Sequence, residues 1–172
     1  MSQQTGMVDP RSRIKLSNPW HLLAVGFGSG LSKIVPGTMG TLASLPFYLL
    51  LVQLPVVLYC IVVVLAAILG VTICQKTSDD MQVHDHGAIV WDEFVGFWIT
   101  MSVVPMMGLA VYDWKIIAIG FVLFRLFDMV KPWPISLLDR HVHGGFGIMI
   151  DDVLAGIFSA ISLWLVVVYW FN

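Results

Sequence analysis

Charge is scarce in this sequence, and cysteine is scarcer still. Charged residues make up 12 % of the chain and hydrophobic residues 58 %, whereas an ordinary soluble domain is about 25 % charged. A mean hydropathy of +0.87 agrees with a lipid environment rather than a water-soluble one. The formal net charge is −2, so the basic footprint of a nucleic-acid-binding protein is absent. Only two cysteines occur, Cys60 and Cys74. Both lie in an apolar run, neither has a partner at a metal-ligand spacing, and both read as buried, inert thiols. No internal repeat or low-complexity stretch stands out, and no cleaved targeting segment is expected.

What the chain does have is long runs without charge. None of the residues from Ile34 to Gln75 is charged, enough for one long or two short passes, since a spanning helix needs about 20 apolar residues. Pro55 sits mid-run and suits a turn or a first helical position. The expectation is a helical hairpin, Leu42–Leu54 and then Pro55–Gln75. Its first arm is only about 20 Å long and enters at a shallow depth. A third segment is expected from Phe94 to about Tyr112, kinked or ended early by Pro105 and Gly108. Asp113 and Trp114 turn the chain. A fourth segment follows from Lys115 to about Met129, and a fifth from Val153 to Phe171. The fold class is therefore all-α, a polytopic membrane helical bundle. Residues 1–15 form a polar, loosely ordered basic arm, and residues 16–172 a single membrane-embedded domain.

This topology can be tested against the charges. It puts eight of the nine Lys/Arg on one face: Arg11, Arg13, Lys15, Lys33, Lys76, Arg125, Lys131 and Arg140, with Lys115 opposite. The positive-inside rule makes that face cytoplasmic. Ten of the eleven acids share it, Asp113 being the exception. Acids do not set orientation, so their clustering needs another cause.

Four blocks on that face could carry chemistry. Gly26–Gly30 and Pro36–Thr41 are glycine-rich and open the hairpin. Their backbone N–H groups suit an anion, and Thr38 and Thr41 offer hydroxyls or caps, although close helix packing explains the glycines equally well. His84 to Glu93 carries Asp85, Asp92 and Glu93 at the edge of an apolar run, where an unpaired charge costs about 3 kcal/mol or more. His84 and His86 read as interfacial hydrogen-bonders before ligands. Arg125, Asp128 and Lys131 are spaced by three and share a helix face. They form either an internal ion-pair ladder or a carboxylate flanked by two phosphate-binding cations. Finally, Gly144–Gly147 leads to Asp151 and Asp152 at the expected start of the last helix, where acids are favourable in themselves. Carboxylate oxygens suit Mg²⁺, and phosphate needs cations and backbone donors. The four blocks together supply all of these.

The stretches SNPWHLLAVGFGSGL (17–31), VPGTMGT (35–41), VHDHGAIVWDEFVG (83–96), FRLFDMVKPWPI (124–135) and GGFGIMIDDVLAG (144–156) closely resemble the phosphatidylglycerophosphatase A family. The resemblance runs from about Leu16 onward. It implies a magnesium-dependent lipid phosphatase of the bacterial cytoplasmic (inner) membrane, multi-pass, with its active site on the cytoplasmic face. The expected reaction converts phosphatidylglycerol phosphate to phosphatidylglycerol and inorganic phosphate, a step of phospholipid biosynthesis. In soluble relatives it implies an all-helical bundle with one helix enclosed by the others. Asp85, Asp92, Glu93, Asp128, Asp151 and Asp152 match as acidic candidates, and Arg125 and Lys131 as cationic ones. Many relatives carry Asp-Pro where this chain has Asp85-His86, which weakens a catalytic claim for His86. Substrate and membrane lipids are the expected partners; the oligomeric state stays open.

The expected mechanism is metal-assisted phosphomonoester hydrolysis. Mg²⁺ held by Asp92, Asp128 and one of Asp151 and Asp152 would activate a water. Arg125 and Lys131, with backbone N–H groups near Gly37, Thr38 and Gly147, would bind phosphate, and Glu93 would be the general base. Three rivals rank lower. No Asp-x-Asp nucleophile supports a covalent route. No Asp-x-x-Asp-Gly pattern supports a cytidine-diphosphate alcohol transferase. A cation-coupled transporter would hold its charges nearer the membrane midplane.

Overall fold

The computed structural model describes residues 9–170. The first eight residues of the polar arm, and the expected end of the fifth segment at Phe171, lie outside them. Among the described residues every regular element is helical. A 3₁₀ turn over Pro10–Arg13 is capped by Asp9, whose carboxylate accepts from the Arg11 N–H. Arg13 then donates to the Met81 carbonyl at 3.2 Å, and the Lys15 N–H to Nδ1 of His21 at 2.9 Å. The chain from Asp9 to Lys15 is thus tied along one end of the bundle.

Eight α-helices follow. These are α1 (Pro19–Ala24), α2 (Pro36–Leu51), α3 (Val56–Met81), α4 (Trp91–Met101), α5 (Val103–Met106), α6 (Trp114–Val130), α7 (Ile135–His141) and α8 (Gly144–Trp170). The hairpin forms, with Pro55 capping α3 as its position suggested. However, α2 starts at Pro36 rather than Leu42, because proline fits a first helical turn, where its missing N–H is not needed. The expected third segment is broken. Its helix stops at Met101, resumes only over Val103–Met106, and turns at Gly108 with φ +65°. Two helices, α3 and α8, are long and apolar enough to cross a bilayer unaided.

The largest correction concerns α8. The glycine-rich run expected to precede the last helix is the helix's own first turn, so Asp151 and Asp152 lie about two turns inside it rather than at its start. Helix-end stabilisation therefore does not account for them. The glycines serve packing instead. A Cβ on Gly145 would run into the Val71 carbonyl of α3, and one on Gly147 into the Val142 carbonyl. The open amides at the helix start are taken by side chains: Gly144 N–H donates to His84 Nε2 at 2.7 Å, and Gly145 N–H to Gln75 Oε1 at 2.6 Å.

Helix α4 is the enclosed one. It packs against α2, α3, α6 and α8, burying Phe94, Phe97, Trp98 and Met101. Its closest approach is to α8. A Cβ on Gly156 would lie 2.5 Å from the Gly96 carbonyl, and Thr100 Oγ1 donates to the carbonyls of Gly96 and Gly156 at 3.0 and 3.3 Å. Small residues permit such backbone contact between membrane helices. Outside the core, α3 exposes Val57, Ile61, Val64, Ile68 and Leu69, and α8 exposes Ile157, Ile161 and Leu165. An apolar exterior over a partly polar interior is the pattern expected in lipid.

Candidate active site

The close contact between α4 and α8 also builds the site. Asp92 precedes Gly96 by four residues, and Asp152 precedes Gly156 by four. One helical turn separates each acid from its glycine on the same face. The glycine contact therefore brings the two carboxylates together at one end of the bundle. One oxygen each from Asp92, Glu93 and Asp152 lie within 4.8 Å of one another.

The trio forms one side of a cavity of about 350 Å³. Its walls come from the start of α2 (Pro36, Gly37), the α3–α4 connection (Asp85, Gly87, Ile89), the start of α4 (Asp92, Glu93), the end of α6 (Arg125, Asp128, Met129, then Lys131) and α8 (Asp151, Asp152). All six acids and both cations singled out from the sequence line this one space. Gly37 lines it too, and for a steric reason. A Cβ there would collide with Glu93 Oε1 and lie 3.1 Å from both terminal nitrogens of Arg125. Thr38 and Gly147 are not among the lining residues. The Thr41 hydroxyl is spent within α2, donating to the Gly37 carbonyl at 3.0 Å.

The charges do not balance within this space. Arg125 pairs with Asp128 and stands 3.9 Å from Glu93 Oε1. Lys131 pairs with Asp151 and, at 2.7 Å, with Asp139. Asp92 and Asp152 have no cationic partner among the described residues, although both are buried. Burying an unpaired carboxylate is costly. Glu93 Oε2, Asp151 Oδ1 and Asp152 Oδ2 are also buried without a hydrogen-bond partner among the described residues. The site is short of positive charge and holds oxygen atoms with nothing to bind. An all-oxygen donor set of this kind fits a hard divalent cation. Of the Asp92, Asp128 and Asp151/Asp152 set read from the sequence, Asp92 and Asp152 contribute converging oxygens, with Glu93 beside them where Asp128 was expected. Asp128 and Asp151 are engaged by Arg125 and Lys131.

Asp85 opens to solvent at the mouth, yet enough protein surrounds it that burial pushes its carboxyl above the ordinary range. Asp139 and Asp128 add to the shift, and Lys131 opposes it. Lys131 is itself held more firmly protonated than usual. Burial works against its charge, but hydrogen bonds to Asp139 and Asp151 outweigh it.

The two histidines have structural work. His84 caps α8, and His86 Nδ1 accepts from the Ala88 N–H at 3.1 Å. Asp139 and Gln75 did not stand out in the sequence. The first sits on α7 as a second partner for Lys131, and the second caps α8. The repeated Asp-x-x-x-Gly of α4 and α8 was a legible signal for the Asp92–Asp152 pair.

The family model for phosphatidylglycerophosphatase A matches residues 22–167. A phosphatidylglycerophosphatase A of Escherichia coli (strain K12) is 59 % identical over 160 residues, covering 93 % of this chain and 90 % of the relative. One of Haemophilus influenzae (strain Rd) is 48 % identical over 163 residues, covering 94 % and 96 %. No solved structure matches the chain.

Proposed function

Because the chain belongs to the phosphatidylglycerophosphatase A family, we propose that its acid-lined cavity is where phosphatidylglycerol phosphate is cleaved. The chain is a lipid phosphatase of phospholipid synthesis, releasing phosphatidylglycerol and inorganic phosphate. The observation that carries the site assignment is the convergence of six carboxylates and two cations in one cavity at one end of a lipid-compatible bundle.

Asp92, Glu93 and Asp152 would hold Mg²⁺. When bound, that ion supplies charge neutralisation at the phosphate and a lowered pKa for a coordinated water. Arg125 and Lys131 bind the non-bridging phosphate oxygens, exchanging part of their pairing with Asp128 and Asp151 for the incoming anion. Gly37 keeps the wall beside Arg125 free of a side chain. Asp85 takes the proton of the attacking water and returns it to the departing lipid oxygen. This moves the general-base role from Glu93, whose carboxylate is engaged within the trio and beside Arg125. One P–O bond to water oxygen forms as the ester P–O bond breaks, with no covalent phospho-enzyme. The enzyme works in the bacterial inner membrane as a multi-pass protein, with this end of the bundle at the cytoplasmic surface.

The test is phosphate release from purified protein in detergent, with phosphatidylglycerol phosphate and phosphatidic acid as substrates, with and without Mg²⁺. Release that depends on Mg²⁺ and is lost in Asp92→Asn supports the reading. Equal release with and without Mg²⁺, or wild-type turnover in Asp92→Asn, overturns it.

A further inference from the structure

The cavity described above accounts for the phosphate end of the substrate and leaves its acyl chains unplaced. The packing around α4 narrows where they can go. Helices α3, α8 and α6 form a continuous wall, α3 against α8 and α8 against α6. Helix α2 packs on α4 and on the 3₁₀ stretch Gly26–Leu31, without a substantial packed seam to α3 or α6. No residue of α3 lines the cavity, and aromatic rings pack on the α3 side of α2. There Phe27 stacks on Phe47 with ring centroids 5.0 Å apart, and Phe47 packs on Phe94. The seam toward α6 is different: Pro36 at the start of α2 and Met129 near the end of α6 both line the cavity.

The surface beside that seam is apolar on both sides. Ile34, two residues before Pro36, is 76 % exposed, and Met129 is 73 % exposed while still lining the cavity. Val35 and Leu126 are exposed beside them. Exposed aliphatic side chains at the mouth of a site lined mostly by carboxylates and cations need an apolar neighbour. Lys33 stands next to Ile34 in the chain and is exposed, a favourable position against anionic lipid head groups.

We infer that the seam between α2 and α6 is a lateral portal. The phosphorylated head group occupies the cavity, while the substrate's glycerol backbone and acyl chains leave between Ile34–Val35 and Leu126–Met129 into the surrounding lipid. The inference rests on the lipid-phosphatase reading above and adds the direction of approach. The substrate comes sideways from the bilayer, and the product diffuses back the same way without leaving it. The occupant is the lipid chain, because the substrate proposed for the adjoining cavity carries two of them.

Two measurements test this. A phosphonate analogue of phosphatidylglycerol phosphate with a diazirine midway along one acyl chain is irradiated on the wild-type protein in vesicles, and the adducts are mapped. Adducts on residues 33–36 and 126–130 are expected. Adducts confined to α3 and the outer face of α8, or disulfide cross-linking between copies of an Ile34→Cys variant in the same vesicles, overturn the portal; the latter would make the rim a contact between copies. The second measurement uses the double variant Ile34→Asn with Leu126→Asn. Its kcat/KM on long-chain substrate should fall about tenfold, and its turnover of the chainless head group, glycerophosphoglycerol phosphate, should stay within about twofold. Equal loss on both substrates, or loss on neither, refutes the inference. If the wild type releases phosphate from neither substrate, the functional reading fails, and the adduct map still decides the portal.

Discussion

Replacing Gly156 by alanine should damage catalysis far more than stability. The new Cβ would lie 2.5 Å from the Gly96 carbonyl and 3.1 Å from Ile99 Cβ, and the first obstacle is backbone that cannot rotate aside. Reaching a tolerable 3.0–3.4 Å requires α4 and α8 to part by about 0.5–0.9 Å, the difference from 2.5 Å. Overpacking of this size costs about 1–3 kcal/mol. Alanine regains about 1 kcal/mol of helix propensity, leaving a net loss of about 0–2 kcal/mol. For a chain of this length that is a fall of several degrees at most in the unfolding midpoint, at about 2–4 °C per kcal/mol. The site lies one turn away and inherits the displacement, so Asp92 and Asp152 splay. Misplacement approaching 1 Å can cost about 100-fold in rate, so phosphate release should fall roughly 10- to 100-fold, with more Mg²⁺ needed for half-maximal activity. Gly120→Ala is the control. Its Cβ would meet the flexible thioether end of Met101, which can move, and turnover should stay within about twofold. Gly156→Ala with wild-type turnover and Mg²⁺ dependence would refute the idea that the glycine contact sets the carboxylate spacing.

Asp152→Asn should abolish turnover yet raise stability in chelator by about 1–2 kcal/mol, because it neutralises a buried, unpaired carboxylate; a lower unfolding midpoint in chelator would contradict that charge accounting. His86→Ala should cost about 1 kcal/mol of stability for its lost hydrogen bond and keep turnover within about threefold; a hundredfold loss would reinstate imidazole chemistry. For Asp85, the ionised form is the proton acceptor, so wild-type rate should fall as pH drops through its raised pKa. Asp85→Asn should be slow with that acidic limb removed; an unchanged limb in the variant would assign the titration to another group.

The acids were legible in the sequence because an apolar chain does not place charge without cause, and a helix start for Asp151 and Asp152 or an ion-pair ladder for Asp128 does not explain so many acids gathered on one face. The partners of Lys131 were not legible. Arg125 and Asp128 sit three apart on one helix, but Lys131 reaches Asp139 and Asp151 across the fold, and sequence spacing carries no such information. Helix ends were misjudged wherever glycine served packing rather than turning. Gly144 to Gly147 looked like a run ahead of the last helix because glycine weakens an isolated helix, whereas tight contact with α3 favours it. Similarly, Pro36 starts α2 six residues ahead of the apolar run used to locate it.

Helix α4 spans eleven residues, about 17 Å at 1.5 Å per residue, too short to cross a bilayer alone. It also begins with two acids. It cannot be a stable guest in lipid until other helices surround it, and one of its main partners, α8, follows it by about forty residues in the chain. During synthesis α4 must therefore wait for the later helix before it can settle. Until then Asp92 and Glu93 lack Asp152, and the nascent protein has no assembled site with which to cut a lipid.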